Sequence, residues 1–526
     1  MVPIDKAGQS ISDRSAPRDY IAVVDFGSQY TPLIARRIRE AEVYSEIFSY
    51  LEPTSSIIQN DPRGIILSGS DASVYGDSPP HLPESLLELE IPILGICYGM
   101  QIITDALGGA VAPSKTREYG PATMEIADLS HPIFAGFPET TRVWMSHGDR
   151  VVLPPPGFEQ LARTEGSEWA AVANENDIVL VQFHPEVKHT QLGHAMLRNF
   201  VLNMCDCKPS WTPTSFIEQT VREIDSIVGN GVAIAGISGG VDSTVASALV
   251  HRAIGNKLQG IFVDTGLLRA NEVSNVEESL SKHLEVPLLV HDASDRFLNH
   301  LNGVTDPETK RKIVGEEFIN VFVQEAAKID RAEFFVQGTI YPDTIESGSA
   351  GLNSAKIKTH HNTHIPDTLN LQVVEPLRRL FKDEVRQVGL ELGLPDELVW
   401  RQPFPGPGLA VRIIGQLSRD RIRSLQIADA IFDEEIRSEG LDRVINQYFV
   451  VLTNIKTVGV MGDARTYGEV AALRAVITED FMTADWHRLP YEVLARTSSR
   501  IVNEVPQITR VVYDITPKPP GTIEWE

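Results

Sequence analysis

Cysteine is scarce: Cys97, Cys205 and Cys207 are the three in 526 residues. That number cannot build a disulfide framework and points to a reducing, cytoplasmic setting. No Cys-x-x-Cys pair occurs, and Cys205-Asp206-Cys207 is too sparse for a zinc site. Positive charge is also short, with 47 Lys and Arg against 71 Asp and Glu, a formal net charge of −24. Polyanions are repelled at long range by such a chain, which argues against nucleic acid and anionic membrane as partners. Any anionic ligand then needs a local basic pocket. No stretch reaches the roughly 18 apolar residues of a membrane helix, and residues 1–18 lack the apolar segment of a secretory signal. They read as a mobile tail.

What is present is a repeated alternation of short apolar runs and amphipathic stretches. IAVVDF, GIILSG, IPILGI and IVLVQF in the first part, then GVAIAGIS, LQGIFVD, PLLVHD and EFFVQG, read as buried strands of α/β sheets. At about 150 residues per domain the length suits three or four domains. The pattern breaks at NMCDCKPSWTP and again at RQPFPGPG, where alternating proline and glycine forbid a helix. The expected division is a tail (1–18), two α/β domains (19–208 and 209–401) and a smaller C-terminal domain (402–526) that ends near a period-two strand, ITRVVYDIT.

Cys97 directly follows the run IPILGI and precedes a helical pattern, flanked by Gly95 and Gly99 as a tight strand-to-helix turn requires. A thiol at a helix N-terminus feels the positive end of the dipole, which favours thiolate. The competing reading is a buried cysteine packed as a small hydrophobe. In Val181-Gln182-Phe183-His184-Pro185-Glu186, a strand ends in a histidine with a carboxylate two residues on. Nucleophile, base and orienting group are then all on hand as Cys97, His184 and Glu186.

GICYGMQ with QFHPE resembles the class I glutamine amidotransferases, which hydrolyse glutamine through a thioester and release ammonia. Ser146-His147-Gly148-Asp149-Arg150 and Arg117-Glu118-Tyr119-Gly120 resemble two further family segments. The family's SGGPxSVY-like loop is here Ser68-Gly69-Ser70-Asp71-Ala72-Ser73-Val74-Tyr75. The resemblance implies an oxyanion hole from the backbone N–H groups of Gly69 and Tyr98.

The second α/β stretch opens on a strand followed by Ser238-Gly239-Gly240-Val241-Asp242-Ser243-Thr244. No GKS or GKT follows, so it is not a Walker loop. The physics is similar: glycines let the backbone approach an anion, the next helix aims free N–H groups at it, and hydroxyls add hydrogen bonds. Asp242 is placed to hold Mg²⁺ on phosphates. An ordinary glycine turn is the plainer alternative. The full string resembles the loop of the N-type ATP pyrophosphatases. Asp264 and Arg269, where the next strand ends, are candidates for nucleotide contacts.

Lys356-Ile357-Lys358-Thr359-His360-His361-Asn362 has imidazoles but no carboxylate or thiol at ligand spacing. A basic lid over phosphates, with Lys358, His360 and His361 as its working side chains, fits better than a metal site; a solvated surface loop is the alternative. Together with LFKDEVR, RQPFPGPGLAVRI, VGVMGDAR and KPPGTIEWE, these motifs resemble the glutamine-hydrolysing GMP synthetases from about Asp25 to Glu526.

That resemblance implies an amidotransferase domain, an adenine-nucleotide α-hydrolase-like parallel-sheet domain and an α+β dimerisation domain. It implies ATP and Mg²⁺, the substrates xanthosine monophosphate and glutamine, a homodimer, and nucleotide contacts at Arg269, Gln447, Lys518 and Glu524. Thr363-His364-Ile365-Pro366 and Asn454 depart from the family's usual residues. Two rivals are another glutamine-dependent synthetase of this type and a non-catalytic regulatory homologue. The second would be marked by loss of nucleophile or base, and both are present.

Overall fold

The computed structural model describes residues 19–83, 85–278, 280, 285–349, 370–461, 464–478, 481 and 483–526. The chain divides into two compact units, one ending at Phe216 and the other running from Ile217 to Glu526. The expected tail 1–18 and lid residues Lys358, His360 and His361 lie outside the described residues.

In the first unit a nine-stranded sheet has the order β2-β1-β3-β4-β9-β8-β7-β5-β6. Its strands are β1 (Tyr20–Asp25), β2 (Tyr44–Ser49), β3 (Gly64–Leu67), β4 (Ile93–Ile96), β5 (Ala110–Ile126), β6 (Thr140–Leu153), β7 (Glu159–Arg163), β8 (Ala171–Ala173) and β9 (Ile178–Val181). β2, β1, β3, β4 and β9 pair in parallel, and the remaining strands continue the sheet antiparallel. β3, β4 and β9 are buried along their whole length, as strands covered on both faces must be, which is why they read as unbroken apolar runs. The carboxyl ends of β4 and β9 lie side by side, with Ile96 opposite Val181.

The second unit carries a parallel sheet of order β12-β11-β10-β13-β14: β10 (Val232–Ile237), β11 (Leu258–Asp264), β12 (Leu288–Asp292), β13 (Ala332–Val336) and β14 (Gln372–Val374). The chain builds outward from β10 to β12, then returns to β13 on the other side of β10. The crevice at the carboxyl ends of β10 and β13 is therefore the switch point where open α/β sheets bind ligands. A third sheet follows, of β15 (Gln447–Met461), β16 (Ala464–Ile477), β17 (Asp485–Trp486) and β18 (Ile508–Tyr513), with β18 parallel to β16 and the rest antiparallel. One apolar cluster runs from Ile234, Val263 and Phe322 through Leu409, Leu425 and Phe432 to Leu473 and Ile508. The parallel sheet and the last sheet thus share a core, and the expected boundary after Arg401 falls inside this unit. Among the described residues no helix is long and apolar enough to cross a membrane.

Candidate active site

In the first unit Cys97 caps the helix Tyr98–Ala106 with φ 52° and ψ −101°, a strained conformation for a residue with a side chain. The strain is held by packing. Cys97 N–H donates to Val181 O at 2.8 Å, and a Cβ on Gly99 would stand 2.5 Å from Leu67 O, so only glycine lets the elbow lie this close to β3. The same turn makes Tyr98 the first helical residue, whose N–H has no acceptor within the helix. Gly69 lies across from it: a Cβ there would stand 3.2 Å from His184 Cε1 and 3.7 Å from Cys97 Cβ. Gly69 and Tyr98 therefore border the sulfur from two sides.

His184 follows β9 and is fixed through its backbone, its N–H donating to Trp144 O at 3.0 Å and its carbonyl accepting from Thr190 Oγ1 at 2.6 Å. Its Nδ1 meets Glu186 Oε1 at 2.6 Å, with both side chains buried. Burial opposes charging the ring, but the Glu186 carboxylate and a hydrogen bond with Cys97 outweigh it and hold His184 well above the ordinary histidine range. Nδ1 belongs to Glu186, which leaves Nε2 for the sulfur. The structure thus brings the three residues singled out in the sequence together. Cys205 and Cys207 are different: burial pushes Cys205 well up and Cys207 up to about 12, which keeps them protonated and unreactive.

Three motif segments meet near Cys97. Ser146 O lies 3.9 Å from Cys97 Sγ, and the hydroxyls of Ser73 and Tyr75 both donate to the Asp149 carboxylate. Glu118 meets His147 Nε2 at 3.2 Å. The sequence showed these segments without their pairings. It also gave no role to Gln182, a buried amide whose Nε2 lies 3.8 Å from Cys97 Sγ. Its place one residue after β9, beside the end of β4, was the available signal.

In the second unit the segment Ser238–Gly240 leaves β10 and enters the helix Val241–Ile254. Gly239 has φ +74°, and its carbonyl accepts from Arg401 Nη1 at 2.9 Å, which turns the loop's other face outward. Ser238 and Ser243 hydroxyls lie 3.1 Å apart, and Thr244 Oγ1 donates to Gly240 O at 2.9 Å. Val241 is buried beneath the loop. Lys382 Nζ donates to Asp242 Oδ2 at 2.6 Å, while Asp242 Oδ1 is buried with no hydrogen-bond partner. A Cβ on Gly338, just past β13, would stand 3.2 Å from the Asp242 and Ser243 backbone. Asp264 ends β11; burial raises its carboxyl above the usual range, partly offset by the Gly266 N–H at 2.8 Å.

Three of the four expected nucleotide-contact residues share one neighbourhood. Gln447 Nε2 donates to Glu524 Oε1 at 2.9 Å, and Glu524 receives Arg412 Nη2 at 2.8 Å and Nε at 3.1 Å. Arg412 and Arg269 both lie over the Phe404 ring, at 5.2 and 4.8 Å. Arg269 is 3.6 Å from Asp429, and its Nε and Nη2 are buried without hydrogen-bond partners. Burial pulls its guanidinium below the ordinary arginine range despite Asp429. Lys518 bonds elsewhere, its ammonium donating to Phe481 O at 2.7 Å. Arg412 was missed in the sequence, although it lies in the quoted PFPGPGLAVRI string. Among the described residues no group of three or more His, Cys, Asp or Glu is placed to hold a metal ion.

Comparison with known proteins covers both units. Residues 22–204 match the glutamine amidotransferase class-I family model, and residues 434–525 match the GMP synthase C terminal domain model. The GMP synthase (glutamine-hydrolyzing) of Thermomicrobium roseum is 53% identical over 512 residues, 97% of this chain and 97% of the relative. Its namesake from Caldanaerobacter subterraneus subsp. tengcongensis is 53% identical over 97% of this chain and 99% of the relative. That of Clostridium tetani is 50% identical over 97% and 100%.

Proposed function

This chain belongs to the glutamine-hydrolysing GMP synthases, and on that premise we propose that it aminates xanthosine monophosphate to guanosine monophosphate with ATP and glutamine. The observation that carries the reading is the presence on one chain of a charge-coupled Cys97–His184–Glu186 system and a Ser-Gly-Gly phosphate loop. One makes ammonia and the other primes its acceptor.

At the first site Cys97 sulfur attacks the glutamine carboxamide. His184, oriented by Glu186, takes the thiol proton and returns it to the departing ammonia, and the thioester is then hydrolysed to glutamate. The N–H groups of Gly69 and Tyr98 receive the oxyanion. At the second site Ser238, Gly239, Gly240, Val241, Ser243 and Thr244 cradle pyrophosphate, and Asp264 contacts the adenine nucleotide. The xanthine O2 attacks the α-phosphate of ATP and pyrophosphate leaves. Ammonia then adds at C2, and AMP departs with O2. Arg269, Gln447 and Glu524 receive the substrate nucleotide, joined by Lys518 only if its bond to Phe481 is exchanged.

The unpaired, buried oxygen of Asp242 beside this loop suits Mg²⁺, which takes one or two carboxylates together with substrate phosphates. Bound there it supplies charge neutralisation for the leaving pyrophosphate. The chain works as a cytosolic homodimer through its C-terminal domain.

The direct test is Cys97→Ala. Synthesis driven by glutamine is lost, while synthesis from ammonium salts continues. Loss of both together contradicts two separable chemistries.

A further inference from the structure

Lys310 lies in the first turn of the helix Pro307–Ala326, and its side chain has no exposed surface. An ammonium without water is costly unless each of its three donors finds an acceptor. All three do. Nζ donates to Ile413 O at 2.7 Å, to Ala410 O at 3.2 Å and to the Glu526 side-chain carboxylate. The neighbouring Arg311 donates to the Glu526 carbonyl, and Gly415 N–H reaches Glu526 Oε1 at 3.4 Å.

These acceptors are not scattered. Arg412 sits between Ala410 and Ile413, and Glu524 sits two residues before Glu526. One ammonium therefore fixes the backbone of both partners of the bidentate Arg412–Glu524 pair, which also receives Gln447. Arg412 stacks at 4.1 Å on Phe449 and at 5.2 Å on Phe404, so it is aimed as well as anchored. Residues from four distant parts of the chain meet there, and Lys310 bonds to two of them.

We propose that Lys310 is a positioning residue for nucleotide recognition. It latches the segment Glu524–Glu526 onto the segment Ala410–Ile413 so that Glu524, Arg412 and Gln447 present one preassembled face to xanthosine monophosphate. Lys310 itself does not touch the nucleotide. The latch rests on the functional reading above, since the pocket it completes is the one assigned there to the substrate nucleotide. A buried lysine serving stability alone would not discriminate between substrates, whereas a latch on this pocket does.

The test is steady-state kinetics of the full-length protein with ammonium as nitrogen donor, comparing wild type with Lys310→Met and Glu526→Gln. Misplacement of recognition groups by about 1 Å costs up to about 100-fold. In both variants the KM for xanthosine monophosphate therefore rises about 10- to 100-fold, with KM for ATP within about twofold. The double variant is no worse than the poorer single one, because the two residues act as a unit. Unchanged KM for xanthosine monophosphate in folded variants overturns the latch, and so does an equal loss for both nucleotides. Should Lys310→Met not fold, the nearly isosteric Glu526→Gln decides by the same readout. Failure of the wild type to make guanosine monophosphate would instead overturn the functional reading, so the two failures are distinguishable.

Discussion

At the scale of single residues, the proposed chemistry depends on His184 sitting beside a carboxylate and a sulfur in a buried site. Burial opposes charging the ring, and its raised proton affinity exists because the Glu186 carboxylate, 2.6 Å away, outweighs that cost. Replacing Glu186 with Gln removes the charge but keeps the shape. Glutamine-dependent turnover falls by about 10²- to 10⁴-fold, the range of a lost general-base contribution, while ammonium-dependent synthesis is untouched. The same pair makes a pH-dependent contribution to stability. His184 binds its proton more tightly folded than unfolded. The contribution is therefore complete below the unfolded value of about 6.5 and is lost as pH rises through the elevated folded value. Thermal melts should show wild type exceeding Glu186→Gln by more at pH 6 than at pH 9. An equal gap at both would mean the pair is not charged.

At the scale of elements, the proposed function places its two reactions on two strand-to-helix turns, and each is held by a contact from outside the turn. Gly239 needs its positive φ, and a Cβ there would come within 2.9 Å of Glu272 Oε1 and 3.2 Å of Arg401 Nη1. Gly239→Ala is expected to cost about 1–2 kcal/mol of local strain and to raise KM for ATP while leaving glutamine hydrolysis intact. Asp242→Ala goes further and removes AMP formation with either nitrogen donor; AMP formation retained in that variant would disprove a metal or phosphate role for Asp242.

These turns were legible in the sequence because glycine, hydroxyl and nucleophile stand at fixed offsets from the fully buried strands β4 and β9 and the mostly buried β10. The β15–β16 hairpin was not: in that region only the final strand, ITRVVYDIT, was singled out. Its inner halves are continuous buried runs, Tyr448–Leu452 and Val470–Leu473, while its outer halves expose Val458 and Tyr467 and carry no continuous buried face. The bonds of Lys310, Arg412 and Glu526 were hidden for another reason: they join residues as many as 216 positions apart, and local pattern carries no trace of them.

For the whole molecule, one chain joins a nitrogen-releasing unit to a nucleotide-activating one. The net charge of −24 makes the second demanding, because phosphates must be drawn into an acidic protein. The structure meets this with local concentrations of cation, Lys382 at the phosphate loop and Arg269 with Arg412 around Phe404. The shared core from Ile234 to Ile508 joins the loop and the segment bearing Glu524 in one compact unit, as a reaction between two bound nucleotides requires. The most direct test is product analysis of the purified protein given glutamine, ATP, xanthosine monophosphate and magnesium. Guanosine monophosphate, AMP and pyrophosphate should appear in equal amounts, and pyrophosphate release should stop when magnesium is chelated. Formation of ADP and orthophosphate, or no guanosine monophosphate at all, would contradict activation by adenylation.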